Sequence, residues 1–465
     1  MLFSSISFLF YFLPIMLLTY FAVPQKGRNT VLLIFSLLFY AWGEPKYIIL
    51  MVISIMTGFT AGLLMEKAQK RTGRRTVLVI SVLLCVAGLI WFKYIDFFTD
   101  NINKLTGLSI PLLKLALPIG ISFYTFQIIS YLVDVYRGET GAQHNVVNFA
   151  AYVTMFPQLI AGPIVRYKDI AVQLEHRQFQ TERCYRGIVR FMIGLSKKIL
   201  IANVLGEVTE AFRNASEPSV GFYWLYAAAF ALHLYFDFSG YSDMAIGVGM
   251  ILGFEFPENF NYPFISKSVT EFWRRWHMSL GTWFRDYVYI PLGGNRNGRL
   301  KNYRNILIVW GLTGFWHGAD WNYIIWGLLF AVLLMIEKAG LLEFLNKHSL
   351  LSHLYVSLII IFSFVIFNAD GIPQMIDDLK GLTGLGAVPL WSNETGYYFK
   401  NYIRIILIAV TGATPLPSML YNRLAGMKYG RVLKSAEPAV LIAGLLLCTG
   451  FLADGSFNPF LYFRF

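Results

Sequence analysis

Thirteen apolar stretches follow one another along this chain of 465 residues. The first six are Ser5–Val23, Thr30–Trp42, Lys46–Met65, Thr76–Ile95, Leu115–Tyr136 and Val147–Val165. The rest are Gly187–Val204, Gly221–Gly253, Asn305–Trp316, Trp321–Ile336, Leu354–Phe367, Tyr402–Gly412 and Pro438–Phe451. A helix that crosses a bilayer needs about 20 mostly apolar residues, and several stretches reach that length. The shorter ones, such as Thr30–Trp42 and Asn305–Trp316, are expected to be tilted, broken or re-entrant. Irregular backbone is tolerated at membrane depth only inside protein or beside water. The expectation is an all-α polytopic membrane protein with about eleven crossings. No internal repeat and no long linker interrupts the series, so residues 1–465 read as a single transmembrane domain.

Composition excludes the alternatives. The chain is 56% apolar and 14% charged, against about 45–50% and about 25% in soluble proteins. Forty Phe and 27 Tyr exclude disorder, because disordered chains are poor in aromatics. The net charge of +12 could indicate nucleic acid in a soluble protein. In a membrane protein it marks cytoplasmic loops, and no nucleic-acid partner is expected. With the N-terminus outside, loops 24–29, 66–75, 166–186, 255–304 and 414–437 fall inside. They hold 24 Lys or Arg against nine acids. Stretches 43–46, 96–114, 207–219 and 369–400 fall outside, with six basic and ten acidic residues. This asymmetry fits the positive-inside rule. The first twenty residues contain no Lys or Arg, whereas a signal peptide needs a basic n-region; Ser5–Val23 reads as a retained helix. Cys85, Cys184 and Cys448 show no metal or disulfide spacing, so neither a zinc site nor a disulfide framework is expected.

Chemistry is expected between residues 233 and 326. Seven of the 11 Trp lie between Trp273 and Trp326, with His277 and His317, after the long polar interruption 255–304. Three pieces stand out. In the first, Asp237 and Asp243 fall inside the apolar run 221–253, where a carboxylate costs about 2.5 kcal/mol or more unless paired or wet. They are either structural carboxylates or the polar lining of a reaction chamber. Gly249 and Gly253 also stand there in G-x-x-x-G spacing, a weak sign of close backbone approach.

In the second, Ser268 followed by Glu271 is a capping-box signature. A helix is expected there, with Val269, Phe272, Trp273, Trp276 and Leu280 on one face and His277 at its edge. Arg274 and Arg275 lie away from that face, suited to anionic lipid or to a phosphate-bearing donor. Three tryptophans nearby are dry enough to shift an imidazole pKa. In the third, His317 ends a short apolar run between Trp316 and Gly318, and Asp320 is placed to orient its ring in a helical turn. The sequence contains no P-loop, no H-E-x-x-H and no G-x-S-x-G elbow.

The chain also carries the motifs Phe156-Pro-Gln-Leu-Ile-Ala-Gly-Pro-Ile-Val165, Tyr235-Phe-Asp-Phe-Ser-Gly-Tyr-Ser-Asp-Met-Ala-Ile-Gly247, Asn259-Phe-Asn-Tyr-Pro-Phe264, Phe272-Trp-Arg-Arg-Trp-His-Met-Ser-Leu280, Pro291-Leu-Gly-Gly294, Phe315-Trp-His-Gly318 and Tyr462-Phe-Arg-Phe465. Together these motifs resemble the membrane-bound O-acyltransferase (MBOAT) family, in its bacterial alginate O-acetyltransferase branch. The resemblance implies transmembrane, re-entrant and interfacial helices around a thinned centre with a tunnel, and a catalytic core at about residues 150–330. It implies His317 as the nearly invariant intramembrane histidine and His277 as the upstream one. Asn368-Ala-Asp370 departs from relatives that carry Arg before the Ala.

The resulting expectation is a multi-pass O-acetyltransferase of the bacterial inner membrane. It moves an acetyl group from a cytoplasmic thioester, acetyl-CoA or another acyl thioester, toward an exported or cell-surface polysaccharide through an extracytoplasmic acetyltransferase partner. Membrane lipid surrounds it, and no tightly bound cofactor or metal is expected. His317 is the expected general base. His277 positions the donor or stabilises the oxyanion. Asp237, Ser239, Tyr241, Asp243, Trp273, Arg275, Trp276 and Trp316 are the expected substrate-binding residues. Two other readings are D-alanyl transfer from a carrier protein to teichoic acid, with loop 255–304 docking the carrier, and a proton-coupled transporter. The absence of a second copy of the 233–326 pattern disfavours a transporter.

Overall fold

The computed structural model describes residues 1–160, 162–296, 298–427, 430–455 and 461. Ala161 of the Phe156–Val165 motif and the Tyr462–Phe465 motif lie outside the described residues. Among the described residues the structure is helical, with a single isolated antiparallel bridge between Phe260 and Trp276. Among the described residues, five helices are long and apolar enough to cross a membrane: Pro45–Lys67, Arg71–Thr106, Trp321–Lys347, Ser349–Asn368 and Gly430–Ala453. A sixth results if Asn393–Gly412 and Leu416–Ala425, bent by 68°, form one broken span. The protein is therefore a multi-pass membrane protein, with fewer helices of spanning length and hydropathy among the described residues than the expected crossings, about eleven besides broken and re-entrant helices.

The breaks have local causes. The apolar stretch 147–165 divides into Val146–Thr154 and Phe156–Leu159, with Pro157 in the first turn of the second helix. A proline fits the first turn, where its missing N–H has no partner to lose, and disfavours continuous helix before it. Asn145 caps the first of the pair, accepting from the backbone N–H groups of Val147 and Asn148. The stretch 76–95 is longer than its apolar run suggests. It extends to Thr106 and ends on Gly107 at φ 74°, a left-handed cap that glycine adopts without a Cβ penalty.

The chain divides into two compact units. The first comprises residues 1–191 and 242–257. Within it the Arg177 guanidinium donates to the Tyr20 hydroxyl at 3.0 Å, the Gln173 carbonyl at 2.9 Å and the Asn29 side chain, and stacks on Phe254. Asp243 belongs to this unit and accepts from Arg190 at 2.9 and 3.0 Å.

The second unit comprises residues 192–241 and 258–465. Helix α1 (Val220–Leu252) contributes its part through Tyr241. Helices α2 (Val269–Arg275) and α3 (Met278–Phe284) are short. Helix α4 (Arg299–His317) and helix α5 (Trp321–Ile336) form a hairpin, and α6 (Ser349–Asn368) follows. The hairpin is close because glycines meet where it crosses. A Cβ on Gly327 would lie 2.4 Å from the Trp310 carbonyl, and one on Gly314 2.4 Å from the Tyr323 carbonyl. Asp320 caps α5 by accepting from the Trp321 N–H. Buried Asn322 on α5 donates to the Ala369 carbonyl at 2.9 Å, holding α5 against the end of α6.

Candidate active site

The helix expected from Ser268 onward is interrupted at Trp276 and His277. Ser268 does cap it, its hydroxyl accepting from the Glu271 N–H at 3.0 Å. Glu271 accepts from the Lys267 N–H at 2.9 Å. The buried carboxylate of Glu337 also covers this end, accepting from the Val269 and Thr270 N–H groups at 2.6 and 2.9 Å. Negative charge there is favourable because the first N–H groups of a helix lack partners and carry partial positive charge. After Arg275 the chain leaves the helix and pairs with residues 259–261. The Asn261 N–H donates to the Arg275 carbonyl, and the Met278 N–H to the Asn259 carbonyl, both at 2.9 Å.

This pairing places His277 between α2 and α3 in the left-handed conformation, φ 48° and ψ 51°. A non-glycine residue there costs about 1–2 kcal/mol. Its imidazole is 2% exposed and stands edge-on to Phe238 with centroids 4.8 Å apart. Nδ1 lies 3.1 Å from Asn259 Oδ1. Nε2 is buried with no hydrogen-bond partner among the described residues. His277 lies outside the spanning helices, and burial lowers its pKa well below the ordinary imidazole value, keeping the ring neutral near pH 7.

His317 ends α4, half-buried. Its ring is edge-on to Trp326 at 5.0 Å and to Phe367 at 5.1 Å, and 4.8 Å from Trp316. The two histidines meet at one cavity of about 30 Å³, with Leu234, Phe238, Trp276, Trp326, Phe364 and Phe367 as its other walls. That is space for about two water-sized groups. A second cavity of about 170 Å³ shares Trp276 and His277 and is otherwise lined by residues of α2, α3, α4 and the π-helical turn Arg285–Tyr289, among them Trp273, Arg285, Tyr289 and Trp310. His277 and Trp276 thus form a wall common to both. Such a dry, aromatic enclosure strengthens electrostatic interactions inside it.

The structure brings together only some of the residues singled out in the sequence. His277, His317 and Trp276 share the smaller cavity, and Trp273 joins His277 at the larger one. Trp316 lies 6.1 Å from His277, centroid to centroid. Asp237 is not a wall of either cavity. Its carboxylate lies 2.6 Å from the Lys198 ammonium and accepts from the Leu461 N–H at 3.1 Å. Ser239 and Tyr241 are buried on α1. Arg275 pairs with Glu271 one turn back and donates to the Asn261 carbonyl at 3.1 Å. Asn368, the departure noted above, donates to the Tyr226 hydroxyl at 2.7 Å, which in turn accepts from Arg213, itself paired with Asp378. Asn259, Trp326 and Phe367 escape a reading for catalytic residue types, because an amide and two aromatic side chains carry no titratable group. The Asn259–Phe264 motif pointed to the first without giving it a role.

Comparison with known proteins supplies the family. The model of MBOAT, the membrane-bound O-acyltransferase family, matches residues 34–372. The probable alginate O-acetylase AlgI of Azotobacter vinelandii is 39% identical, with 100% of each chain covered. The protein of the same name from Pseudomonas aeruginosa is 45% identical over 80% of this chain and 73% of its own. The peptidoglycan O-acetyltransferase of Helicobacter pylori is 35% identical over 84% of this chain and 81% of its own. With the family model matching well over half of its length, the chain belongs to the membrane-bound O-acyltransferase family.

Proposed function

We propose that this protein is a membrane O-acetyltransferase that serves O-acetylation of an exported or cell-surface polysaccharide. The reading is supported by relatives named as alginate and peptidoglycan O-acetylating enzymes, and the observation that carries it is the meeting of His277 and His317 at one aromatic cavity. The donor is a cytoplasmic thioester, acetyl-CoA, used as substrate; no resident cofactor takes part. The protein sits in the bacterial inner membrane and hands the acetyl group to an extracytoplasmic acetyltransferase partner. The catalytic core falls within residues 150–330.

In this mechanism the acceptor hydroxyl oxygen attacks the thioester carbonyl carbon while His317 takes the hydroxyl proton. The C–O bond forms, the C–S bond breaks and the thiolate leaves. A placed base contributes about 10²–10⁴-fold. Holding donor and acceptor in contact contributes much of the remainder, and His277 with Trp273 and Trp276 performs that positioning. The aromatic walls keep water away from the thioester. Arg275, beside Arg274, attracts the donor's phosphates. Asp237 acts through the helices it ties together, and Asp243 likewise through Arg190.

The experiment supplies purified protein in liposomes with [¹⁴C]acetyl-CoA and, separately, with a carrier protein charged with D-alanine. Label transferred from acetyl-CoA to a hydroxyl acceptor is the expected result. Transfer from the D-alanyl carrier alone, or uptake of solute with no covalent product, would overturn the reading.

A further inference from the structure

We propose that Asn259 is a positioning residue that fixes the tautomer of His277, so that Nε2 carries a lone pair and receives a hydrogen bond from substrate. The inference rests on the function proposed above and deepens it.

It begins with the identity of one atom. Asn259 and His277 are 0% and 2% exposed, so water does not compete for their polar groups. The side-chain amide of asparagine offers either an oxygen or an NH₂ group to its surroundings, and the neighbours decide which. Asn259 Oδ1 is approached by the Ser279 backbone N–H at 3.3 Å and by the Ser279 hydroxyl at 2.9 Å. A peptide N–H only donates, so the atom facing it is the oxygen. That oxygen only accepts, and His277 Nδ1 lies 3.1 Å from it. Nδ1 must therefore carry the hydrogen.

A neutral imidazole holds one N–H. With that hydrogen on Nδ1, Nε2 is a bare lone pair, and it has no hydrogen-bond partner among the described residues. Of the two roles expected for His277, stabilising an oxyanion needs an N–H donor at Nε2, which this tautomer lacks. Accepting a hydrogen bond from a hydroxyl of the substrate is what it can do. The backbone reinforces the arrangement, since the Met278 N–H donates to the Asn259 carbonyl at 2.9 Å. Asn259 thereby holds His277 from both main chain and side chain, in a left-handed conformation that a histidine does not adopt by preference.

The experiment uses the full chain in detergent or lipid with ¹⁵N-histidine. The ¹⁵N resonances of His277 are assigned by their loss in His277→Gln. We expect a protonated Nδ1 and a pyridine-like Nε2. In Asn259→Ala, kcat for acetyl transfer falls about 10–100-fold, the usual cost of losing a partner that orients a functional histidine, with KM for the thioester little changed. Asn259→Asp keeps an acceptor at the same atom, so kcat recovers to within several-fold. Its carboxylate favours the imidazolium, and the acidic limb of the pH–rate profile moves to higher pH. A purely structural role for Asn259 would not move that limb. A protonated Nε2 in the unaltered protein, kcat within twofold in Asn259→Ala, or an unmoved limb in Asn259→Asp would each overturn the proposal. Should Asn259→Ala not fold, the spectrum of the unaltered protein and the Asn259→Asp profile decide. If the unaltered protein transfers no acetyl group, the proposed function fails, while the ¹⁵N spectrum still judges the tautomer.

Discussion

The Lys198 ammonium lies 2.6 Å from the Asp237 carboxylate, and each side chain is 2% exposed. The contact depends on Gly240. A Cβ there would stand 2.8 Å from the Gly194 carbonyl oxygen and 3.2 Å from the Lys198 backbone nitrogen, so only glycine lets α1 approach the π-helical turn Lys197–Asn203 this closely. Removing one member of a buried pair strands the other charge and costs about 3–5 kcal/mol, whereas removing both is often neutral. Lys198→Met should therefore lower the melting temperature of the solubilised protein sharply. Lys198→Met combined with Asp237→Leu should restore much of the loss. Equal melting of the single variant and the parent would show that the pair contributes nothing.

The α4–α5 hairpin should tolerate no side chain at Gly327. The added Cβ would lie 2.4 Å from the Trp310 carbonyl and 3.0 Å from the Gly314 Cα, both backbone atoms that cannot move aside. Overpacking of this kind costs about 1–3 kcal/mol or more. Gly327→Val should reduce the folded fraction seen by size-exclusion chromatography. The part that folds should transfer little acetyl, because Trp326, the preceding residue, packs on the His317 ring. A variant with normal yield and rate would contradict this.

Glu337→Gln tests the cap on α2. The carboxylate accepts three hydrogen bonds from Val269 and Thr270, at 2.6, 2.9 and 2.6 Å. Glutamine keeps one acceptor oxygen and loses the charge, a loss of about 1 kcal/mol by comparison with other helix caps. Glu337→Ala should cost more. Melting curves that place both variants with the parent would argue that charge and hydrogen bonding at this helix end are unimportant.

How much of this was legible in the sequence differs by residue. The membrane class follows from the apolar runs alone, since nothing else dissolves such a chain. His277 and His317 stood out because imidazoles among tryptophans are unusual and because the motifs resemble a family. The break at Trp276–His277 was not legible. The spacing of Val269, Phe272, Trp273, Trp276 and Leu280 fits a helix throughout, and local periodicity cannot report that residues 259–261 pair with 275–278. Partners distant in sequence, Lys198 for Asp237 and Arg190 for Asp243, were hidden for the same reason. The sequence places Asp320 to orient His317 in a helical turn; in the fold Asp320 caps the next helix, the commoner use of an aspartate at such a turn.

Arg275 separates a surface contact from a binding role. Its pair with Glu271 spans one helical turn with both side chains about a third exposed or less, and such pairs contribute about 0.3–0.5 kcal/mol. Arg275→Ala should leave the melting temperature nearly unchanged. It should raise KM for acetyl-CoA and leave KM unchanged for a short acetyl thioester without phosphates. Parallel changes for both donors would remove the arginine from phosphate recognition.

The central claim is that His317 takes the proton of the acceptor hydroxyl. Its most direct measurement is the rate of acetyl transfer from a thioester by His317→Ala protein that inserts and melts like the parent. The account predicts a loss of about 10²–10⁴-fold in kcat with thioester binding retained. A rate near that of the parent would contradict it.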